Sequence, residues 1–446
     1  MDLRDKLEKE ELVRVLESSS EELLENEHSI DIAAILEDFK EDELDQIINK
    51  LSDEDLALVF EQCSLELQIT LVDHIDSNRM LRIFSFMSKD DIVDVLGELK
   101  VNKQKELINL MKLSDQKIIN TLLSYKEDSA GGIMTTEYVC FSTYHTVGEC
   151  LDKLRLIAPK SEVIDPIFIT TQNKELIGVV SIRDLISSSK DVRMEEIMDD
   201  NIIYCYPEDD QEYVSNLVSK YDLHAIAVVN RKKQLIGIIT VDDIIDVIVE
   251  EHHEDVAKFA GASALEEPDT PLIKSIKFRL PWLLVNLITS FLSSSTIAAF
   301  SPIIERIVIL ASISPIIAST GGNAGTQELA ITIRSISLGD SKFKESLPLL
   351  TKAMGLGLIN GLILGSISGF IMSTIYHNYF LWIIILLSMA MNLVLACVFG
   401  FIIPRILKAL KIDPAMASGV FLTTVTDVGG FMLFLGLSSL FIDKLI

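Results

Sequence analysis

The sequence predicts a multidomain membrane protein, and three observations lead to this fold class. Short amphipathic helical patterns recur over residues 1–130, and two α/β segments within residues 167–245 repeat one another. From Leu280 onward the chain becomes apolar enough for several helices of the roughly 20 residues that cross a bilayer. We therefore expect an all-α superhelical N-terminal domain, an α/β repeat pair and an α-helical transmembrane domain of five spans.

Charge is distributed unevenly along the 446 residues, whose formal net charge is -27. Residues 281–446 hold 7 acidic and 9 basic side chains, whereas residues 1–280 hold 59 acidic and 30 basic ones. Phosphate binding needs clustered Lys and Arg, so this front part argues against nucleic-acid binding and favours cations. The five cysteines show no CxxC spacing, which suits a reducing compartment. The charged start "MDLRDKLEKEELVRVL" lacks a signal peptide's apolar segment, so we expect the front in the cytoplasm.

The N-terminal helices have readable starts. Segments "SDEDLALVFEQC" and "SKDDIVDVLGEL" open with a serine cap followed by acids, and their apolar residues recur every three or four positions. The recurrence predicts stacked helical hairpins. Asp90 and Asp94 form an i, i+4 pair of like charges, which is mildly destabilising unless a cation neutralises it or the face is solvated.

The repeats "IFITTQNKELIGVVSIRDLI" (167–186) and "IAVVNRKKQLIGIITVDDII" (226–245) align without a gap at an offset of 59 residues. Each predicts strand, turn, strand and helix. Both place a hydroxyl three residues before an acid, in the pairs Ser181/Asp184 and Thr240/Asp243. Each pair is either a capping box or a contact for the ribose and phosphates of a nucleotide.

The segment "DDIIDVIVEEHHED" (242–255) contains seven acids and no Lys or Arg. On a helix, Asp243, Asp246, Glu250 and Glu254 fall within an arc of about 80°. Four carboxylates on one stripe repel one another, and a divalent cation would reverse that repulsion; the alternative is a solvated acidic helix. The adjacent His252 and His253 lack the i, i+4 spacing of a transition-metal pair. The candidate ligands of a metal-sensing cluster are Asp90, Asp94, Asp243, Asp246, Glu250, Glu251, Glu254 and Asp255.

The five expected spans cover residues 280–300, 303–333, 349–376, 379–407 and 415–442. With a cytoplasmic front, ten flanking Lys and Arg lie inside and two outside, a positive-inside pattern that places the C-terminus outside. In the second span, "SPIIASTGGNAGTQ" (314–327) combines Pro315 with paired glycines ahead of Asn323 and Gln327. We expect an irregular, interrupted helix there, or otherwise a simple proline kink. Glycines spaced four apart, Gly357 to Gly369, predict a close-packing face on the third span.

Asp427 lies near the midplane of the last span, since it follows the start of that span by about 18 to 20 Å. A charge at that depth costs about 2.5 to 3.5 kcal/mol on insertion scales. No Lys or Arg occurs in residues 280–304, 307–333, 353–404 or 412–443, so no basic residue at that depth could pair with it. Asp427 must therefore be protonated and hydrogen-bonded, reach water, or have a mobile cation as its partner. The nearby hydroxyls of Thr423 and Thr424 favour a hydrated site.

These motifs carry a resemblance to a known family. The α/β repeats resemble a tandem CBS pair, and "SPIIASTGGNAGTQ", "DPAMASG" (413–419) and "TTVTDVGG" (423–430) are together similar to the MgtE family of magnesium channels. The resemblance implies an N domain at 1–130, CBS repeats at 131–199 and 200–248, a long connecting plug helix at 249–275 and a pore domain at 276–446. It also places Asn323 and Gln327 near the pore and Asp413 near its cytoplasmic mouth.

The function that the resemblance implies is Mg²⁺ uptake through a lipid-embedded homodimer in a bacterial inner membrane, with Asp427 of both subunits lining the pore. High cytoplasmic Mg²⁺ would bridge the acidic regions and close it, and ATP is a possible ligand of the CBS pair. Two rival classes remain: a proton-coupled transporter of Mn²⁺ or Co²⁺, which usually has a relay of further acids at depth that we do not expect here, and a membrane-anchored nucleotide sensor. No nucleophile, base or phosphate loop points to an enzyme. Oxygen ligands do not by themselves separate Mg²⁺ from Mn²⁺, Co²⁺ or Ca²⁺.

Overall fold

The computed structural model describes residues 28–37, 39, 41–157, 164–263, 266, 270–337 and 347–445, and it divides into two compact units, Met1–Ile248 and Val249–Ile446. The opening segment "MDLRDKLEKEELVRVL" lies outside the described residues, as do Lys342 and Lys344, two of the ten inside flanking residues. Each unit has its own hydrophobic core.

The described part of the first unit begins with eight short helices, and each of the first six packs on the helix two places further along the chain. This arrangement is the expected superhelical stack of hairpins. Ser52 and Ser88 cap their helices by accepting hydrogen bonds from the amides of Asp55 and Asp91, as the sequence predicts. The helices are α1 Ser29–Leu36, α2 Glu41–Ile48, α3 Asp53–Glu61, α4 Leu65–His74, α5 Ser77–Phe84, α6 Lys89–Glu98, α7 Val101–Leu110 and α8 Leu113–Leu122.

Two three-stranded sheets of identical order follow, one for each α/β repeat. In each sheet the central strand pairs parallel with the first strand and antiparallel with the third. The central strands are buried throughout, which explains their unbroken apolar sequence. The elements are β1 Cys140–Ser142, α9 Val147–Ile157, β2 Ile167–Thr170, β3 Leu176–Val180, α10 Ile182–Ser187, α11 Met194–Ile197, β4 Tyr204–Cys205, α12 Gln211–Tyr221, β5 Ala225–Val229 and β6 Leu235–Thr240.

The acidic segment forms one continuous helix, α13 Val241–Phe259, directly after β6. Only Ile244 and Val247 of this helix are fully buried. These two residues are three apart and so lie on one side of the helix, while the rest of its surface, which includes its carboxylates, is not fully buried. The prediction that the acidic segment 242–255 lies on one helix is confirmed, and this helix ends at Phe259, within the range 249–275 expected for the plug helix.

Long apolar helices dominate the second unit: α14 Leu272–Ala299, the short α15 Ser301–Arg306, α16 Ile309–Ser337, α17 Leu347–Tyr376, α18 Tyr379–Ala409, α19 Pro414–Leu440 and the short α20 Ile442–Leu445. Among the described residues, four helices are long and apolar enough to cross a membrane: α14, α17, α18 and, from Gly419 to Leu440, α19. The remaining expected span, the second at 303–333, corresponds to α16, whose 29 residues are long enough but more polar. The fold class is thus confirmed, with four clearly apolar spans where five were expected.

The expectation of an interrupted helix at residues 314–327 is wrong. Helix α16 runs unbroken from Ile309 to Ser337, with Pro315 in its second turn. Pro315 lacks the amide hydrogen for one intrahelical hydrogen bond, and the helix continues through this loss. Glycine and proline are also tolerated in membrane helices where neighbouring helices cover the backbone. Here Gly321 lies against Asn392 of α18, and Gly325 lies against Leu422 of α19.

The glycine stripe of α17 packs directly on α18. A Cβ atom at Gly357 would lie 2.7 Å from the carbonyl oxygen of Leu393, and one at Gly361 would lie 2.5 Å from Cα of Ala390. Both atoms belong to the backbone of α18, so no side-chain rotation could relieve the clash. The two backbones approach as closely as the sequence pattern predicts.

Substituting Gly361→Ala should therefore destabilise the second unit by about 1 to 3 kcal/mol, the usual range for an overpacked interface. Gly355→Ala is the matched control, because nothing lies within 4 Å of the added Cβ atom. Thermal unfolding of the full chain in detergent measures both variants. Equal midpoints for the two variants would show that the glycine stripe does not set the helix distance.

Candidate ion pathway and acidic cluster

Asp427 is the fourteenth of the 27 residues of α19, and its side chain is half-buried. Within the described part of the chain it has no hydrogen bond and no ion pair. The hydroxyls one turn earlier on its own helix bond elsewhere: Thr423 and Thr424 donate to the carbonyl oxygen of Val420, at 3.1 and 2.7 Å. Asp427 therefore presents a carboxylate without a fixed partner in an apolar helix.

The two membrane motifs lie on neighbouring helices. A Cβ atom added to Gly325 of α16 would lie 3.0 Å from the side chain of Leu422 on α19. A Cβ atom added to Gly322 would lie 3.8 Å from the hydroxyl of Thr426. Asn323 and Gln327 stand one turn apart on α16 and are both exposed in the single chain. The structure thus brings the helices of Asn323, Gln327 and Asp427 together without a direct hydrogen bond among these three side chains.

Two polar residues of the membrane helices escaped the sequence reasoning. Glu328 is half-buried on α16 and lies inside the span expected at 303–333, five residues before the end of that span. Its carboxylate lies near the positive charges of Arg405 and Lys352, which distinguishes it from Asp427.

Asn392 is completely buried in α18, where its Nδ2 atom donates to the carbonyl oxygen of Ile317, 2.9 Å away. A single Asn within the apolar run "MAMNLVLA" was the available signal.

A lysine joins the end of α13 to the start of α19 within the second unit. Lys258 lies 2.5 Å from the carboxylate of Glu254 and 2.7 Å from that of Asp413. Burial lowers the pKa of Lys258, but the hydrogen bonds to Asp413 and Glu254 outweigh it and raise the pKa above its ordinary value. Burial and then the charge of Asp413 raise the pKa of Asp255. The motif 242–255 ended three residues too early to reveal this cation.

Five carboxylates gather within the first unit, where α6 and the start of α13 approach each other: Glu61, Asp90, Asp91, Asp94 and Asp243. We call this set the acidic cluster. None of the five has an ion pair among the described side chains; Lys89, which precedes Asp90 in the chain, pairs with Glu137 instead, at an N–O distance of 3.8 Å. One oxygen of Asp90 is buried without any hydrogen-bond partner. Sequence reasoning found Asp90, Asp94 and Asp243 but missed Glu61 and Asp91, which no local pattern links to them.

The electrostatic strain of the acidic cluster appears in its pKa values. Burial, followed by the charges of neighbouring acids, raises the pKa of Glu61 and of Asp94 to about 7. Burial and the charge of Asp90 raise the pKa of Asp243 to about 6, although its hydrogen bond with Thr240 works in the opposite direction. The folded chain therefore holds protons that carboxylates in water would release.

The other predicted sensor residues are more dispersed. Asp246 and Glu250 are exposed on α13, and Glu251 is half-buried. Across the described ranges, no three His, Cys, Asp or Glu side chains stand close enough to bind one metal ion directly. An ion that keeps its water shell needs no such convergence, and Mg²⁺ characteristically keeps several waters.

The hydroxyl and acid pairs of the repeats lie at helix starts, and each makes one half of a capping box: the amide of Asp184 donates to the Ser181 hydroxyl at 3.1 Å, and the amide of Thr240 donates to Asp243 at 3.4 Å. The Ser181 hydroxyl donates to Asp184 at 2.6 Å, and that of Thr240 donates to Asp243 at 2.5 Å. Ser181 and Asp184 also line a cavity of about 350 Å³ between the two repeats, together with Asp165, Asp199, Asp222 and His224. Thr240 and Asp243 are not among its lining residues, so the structure separates the two pairs that the sequence treats alike.

A stack of helical hairpins, a pair of α/β repeats and a bundle of apolar helices with an unpaired internal carboxylate at Asp427 are the features of a membrane transport protein with a large extramembrane part. Family models agree: one described as "Divalent cation transporter" (MgtE) matches residues 314–437, the MgtE intracellular N domain matches 27–128, and the CBS domain matches 130–191 and 194–250. The chain belongs to the MgtE family of magnesium transporters.

Relatives match over nearly the full chain. The magnesium transporter MgtE of Bacillus subtilis (strain 168) is 31% identical over 415 residues, which cover 93% of this chain and 92% of that protein. The magnesium transporter MgtE of Thermus thermophilus is 30% identical over 432 residues, 95% of each. The crystal structure of the cytosolic domain of the Mg²⁺ channel MgtE in complex with ATP is 31% identical, covers 55% of this chain and 98% of that one, and has a TM-score of 0.50.

The raised pKa values predict how pH affects the stability of the first unit. Because the folded carboxyls of Glu61, Asp94 and Asp243 bind protons more tightly than unfolded ones do, stability should fall as the pH rises from about 5 to 8. Chemical unfolding of the full chain, monitored in the N-terminal unit without divalent ions, measures this slope. Asp94→Asn should flatten it. A stability that increases over this pH range would contradict the assignment.

Proposed function

We propose that the protein is a Mg²⁺ channel for magnesium uptake, and Asp427 carries the proposal. Its half-buried carboxylate stands midway along an apolar helix with no basic partner in the described structure. A fixed charge without a counterion is expensive in a membrane, so a passing cation is the natural partner. The relatives named magnesium transporters support Mg²⁺ as that cation.

A homodimer supplies the charge balance. One Asp427 cannot neutralise a divalent ion, but two carboxylates related by a two-fold axis can. Mg²⁺ sheds water reluctantly, so the pore should hold a hydrated ion through oxygen atoms. The exposed Asn323, Gln327 and Thr423 are the candidates to line that pore with Asp427, while Thr424 is partly covered by its own helix. Asp413 lies at the start of α19, where we place the cytoplasmic mouth.

The acidic cluster is our candidate for the gate's sensor. At high cytoplasmic Mg²⁺, ions would neutralise Asp90, Asp94 and Asp243 and hold the first unit compact. At low Mg²⁺, the repulsion among residues 1–280, which carry 29 more acids than bases, would loosen it. An equilibrium shifts only by the difference in affinity between the two states, and the buried unpartnered oxygen of Asp90 provides such a difference.

Helix α13 is the element that would transmit this change, because it begins in the acidic cluster at Asp243 and ends at the Lys258 ion pairs. Asp246, Glu250, Glu251, Glu254 and Asp255 lie along it and would add weaker Mg²⁺ contacts. We place the first unit and helix α13 in the cytoplasm of a bacterial cell, the helical bundle in the inner membrane and the C-terminus outside. This orientation rests on the basic residues that flank the expected spans.

The cavity between the repeats would bind an adenosine nucleotide. The relative of TM-score 0.50 was solved in complex with ATP, and that protein is 31% identical to this chain. Ser181 and Asp184 are the candidates for the ribose in the cavity of about 350 Å³. Thr240 and Asp243 lie outside that cavity, so we assign Asp243 to the acidic cluster.

Proton-coupled transport of Mn²⁺ or Co²⁺ is the second candidate, because Glu328 provides another carboxylate within the membrane helices. Unlike Asp427, Glu328 lies near the positive charges of Arg405 and Lys352, so it has basic groups of the protein itself as neighbours. Patch-clamp recording on the reconstituted protein separates the two functions. Mg²⁺ current without a pH gradient supports the channel, and strict dependence on that gradient supports the coupled transporter.

Asp427→Asn should lower Mg²⁺ current roughly tenfold or more, which corresponds to about 1.4 kcal/mol lost at the binding step. The amide keeps the shape and polarity of the side chain but removes its charge. Asp443→Asn is the matched control, since Asp443 is exposed in α20 near the C-terminus. A normal current from Asp427→Asn at wild-type protein levels would refute the central role of this carboxylate.

Asp94→Asn should make the closed state less dependent on Mg²⁺. Removing one charge from the acidic cluster relieves repulsion without an ion, so millimolar Mg²⁺ should add less protease protection to the front unit than in the wild type. Asp73→Asn serves as control, because Asp73 is exposed on α4. If both variants gain protection equally from Mg²⁺, the acidic cluster is not the sensor.

A further inference from the structure

Asn392 is an amide in the middle of the most buried apolar helix of the second unit. It is the fourteenth of the 31 residues of α18, and none of its side chain is exposed. Its Nδ2 atom donates to the carbonyl oxygen of Ile317 on α16, at 2.9 Å, while its Oδ1 atom has no hydrogen-bond partner. An unpaired buried carbonyl oxygen carries a free-energy cost that Leu or Met would avoid, so packing alone does not explain this residue.

Both membrane motifs provide a glycine where this amide lies. A Cβ atom at Gly321 of α16 would overlap Nδ2 of Asn392, and one at Gly430 of α19 would come within 3.0 Å of the same atom and 3.3 Å of Oδ1. Asn392 is therefore held between the glycine pair of "STGGNAG" and that of "TDVGG". The side chain is the point at which three membrane helices touch.

This contact fixes the orientation of the helix that carries Asp427. Gly430 follows Asp427 by three residues, and it belongs to a stripe of α19 that faces the interior of the unit. The other members of this stripe are Leu422, Thr426 and Phe434, which with Gly430 follow one another every four residues. All three side chains are completely buried. Asp427 is only half-buried at the edge of the stripe. A rotation of α19 that moved Gly430 away from Asn392 would therefore turn Asp427 as well.

We propose that Asn392 is a positioning residue for ion transport. It sets the distance and rotation of α19 against α16, so that Asp427 faces the same pathway as Asn323 and Gln327. The inference rests on the proposed function, since it concerns the same pathway, but it assigns a role to a residue that never reaches that pathway. Its steric part is independent of the transported ion, because it depends only on the fit of the amide to Gly321 and Gly430.

The test combines four full-length proteins in proteoliposomes: wild type, Asn392→Ala, Gly321→Ala and the double variant. Gly321→Ala should lower Mg²⁺ uptake roughly tenfold, because its new methyl group displaces the Asn392 amide. Asn392→Ala removes the amide, so the double variant should recover most of that loss. Gly436→Ala on α19 is the control, because nothing lies within 4 Å of its added Cβ atom.

A second variant separates positioning from folding. Asn392→Leu preserves the volume of the side chain but not its hydrogen bond, so it should raise the Mg²⁺ concentration for half-maximal uptake severalfold and alter the preference for Mg²⁺ over Ca²⁺. A merely structural residue would lower only the maximal rate, in proportion to the folded protein recovered. An unchanged half-saturation and preference in Asn392→Leu, or a double variant no better than Gly321→Ala, would overturn the proposal.

Failure of the proposed function gives a different result. Wild-type vesicles that take up no Mg²⁺ would reject the magnesium channel. Thermal unfolding of the same four proteins then tests the steric part alone: the Gly321→Ala destabilisation should shrink when Asn392 is already Ala. Additive effects would reject the contact whatever ion is transported.

Discussion

The structure depends on what neutralises carboxylates that have been removed from water. A carboxylate that loses its hydration must bind a proton, pair with a fixed cation or bind a mobile one. This chain contains all three situations. The acidic cluster of the first unit retains protons, Glu254 and Asp413 share Lys258, and Asp427 has neither a proton donor nor a base beside it in the described structure.

These three solutions suggest a division of labour along the chain. Where Lys258 provides a permanent positive charge, the contact between α13 and α19 is made by the protein itself. Where no base is present, the repulsion among the carboxylates depends on the cations in solution, and in the proposed function that cation is Mg²⁺. A protein that responds to a cation needs some acids without internal partners, because an acid that is already paired with a base no longer binds that cation.

The sequence was sufficient for the fold and for part of the site. Period and capping patterns predicted the N-terminal hairpins, the paired α/β repeats and the position of Asp427, because each follows from local physics. The uninterrupted α16 could not be read from "STGGNAG", since the packing of α18 and α19 against its glycines decides the outcome. Glu61 was missed for a related reason, because only tertiary contacts bring it to the other acids of the cluster. Lys258 was missed because it lies three residues beyond the acidic segment 242–255.

The glycine stripe of α17 has a mechanical consequence. With Gly357, Gly361, Gly365 and Gly369 all in close contact with α18, these two helices form a hairpin with no free space in which one could slide or roll on the other. Any opening or closing of the bundle must then occur at its looser joints. Helices α17 and α18 would therefore move together, as one rigid hairpin, in any such change.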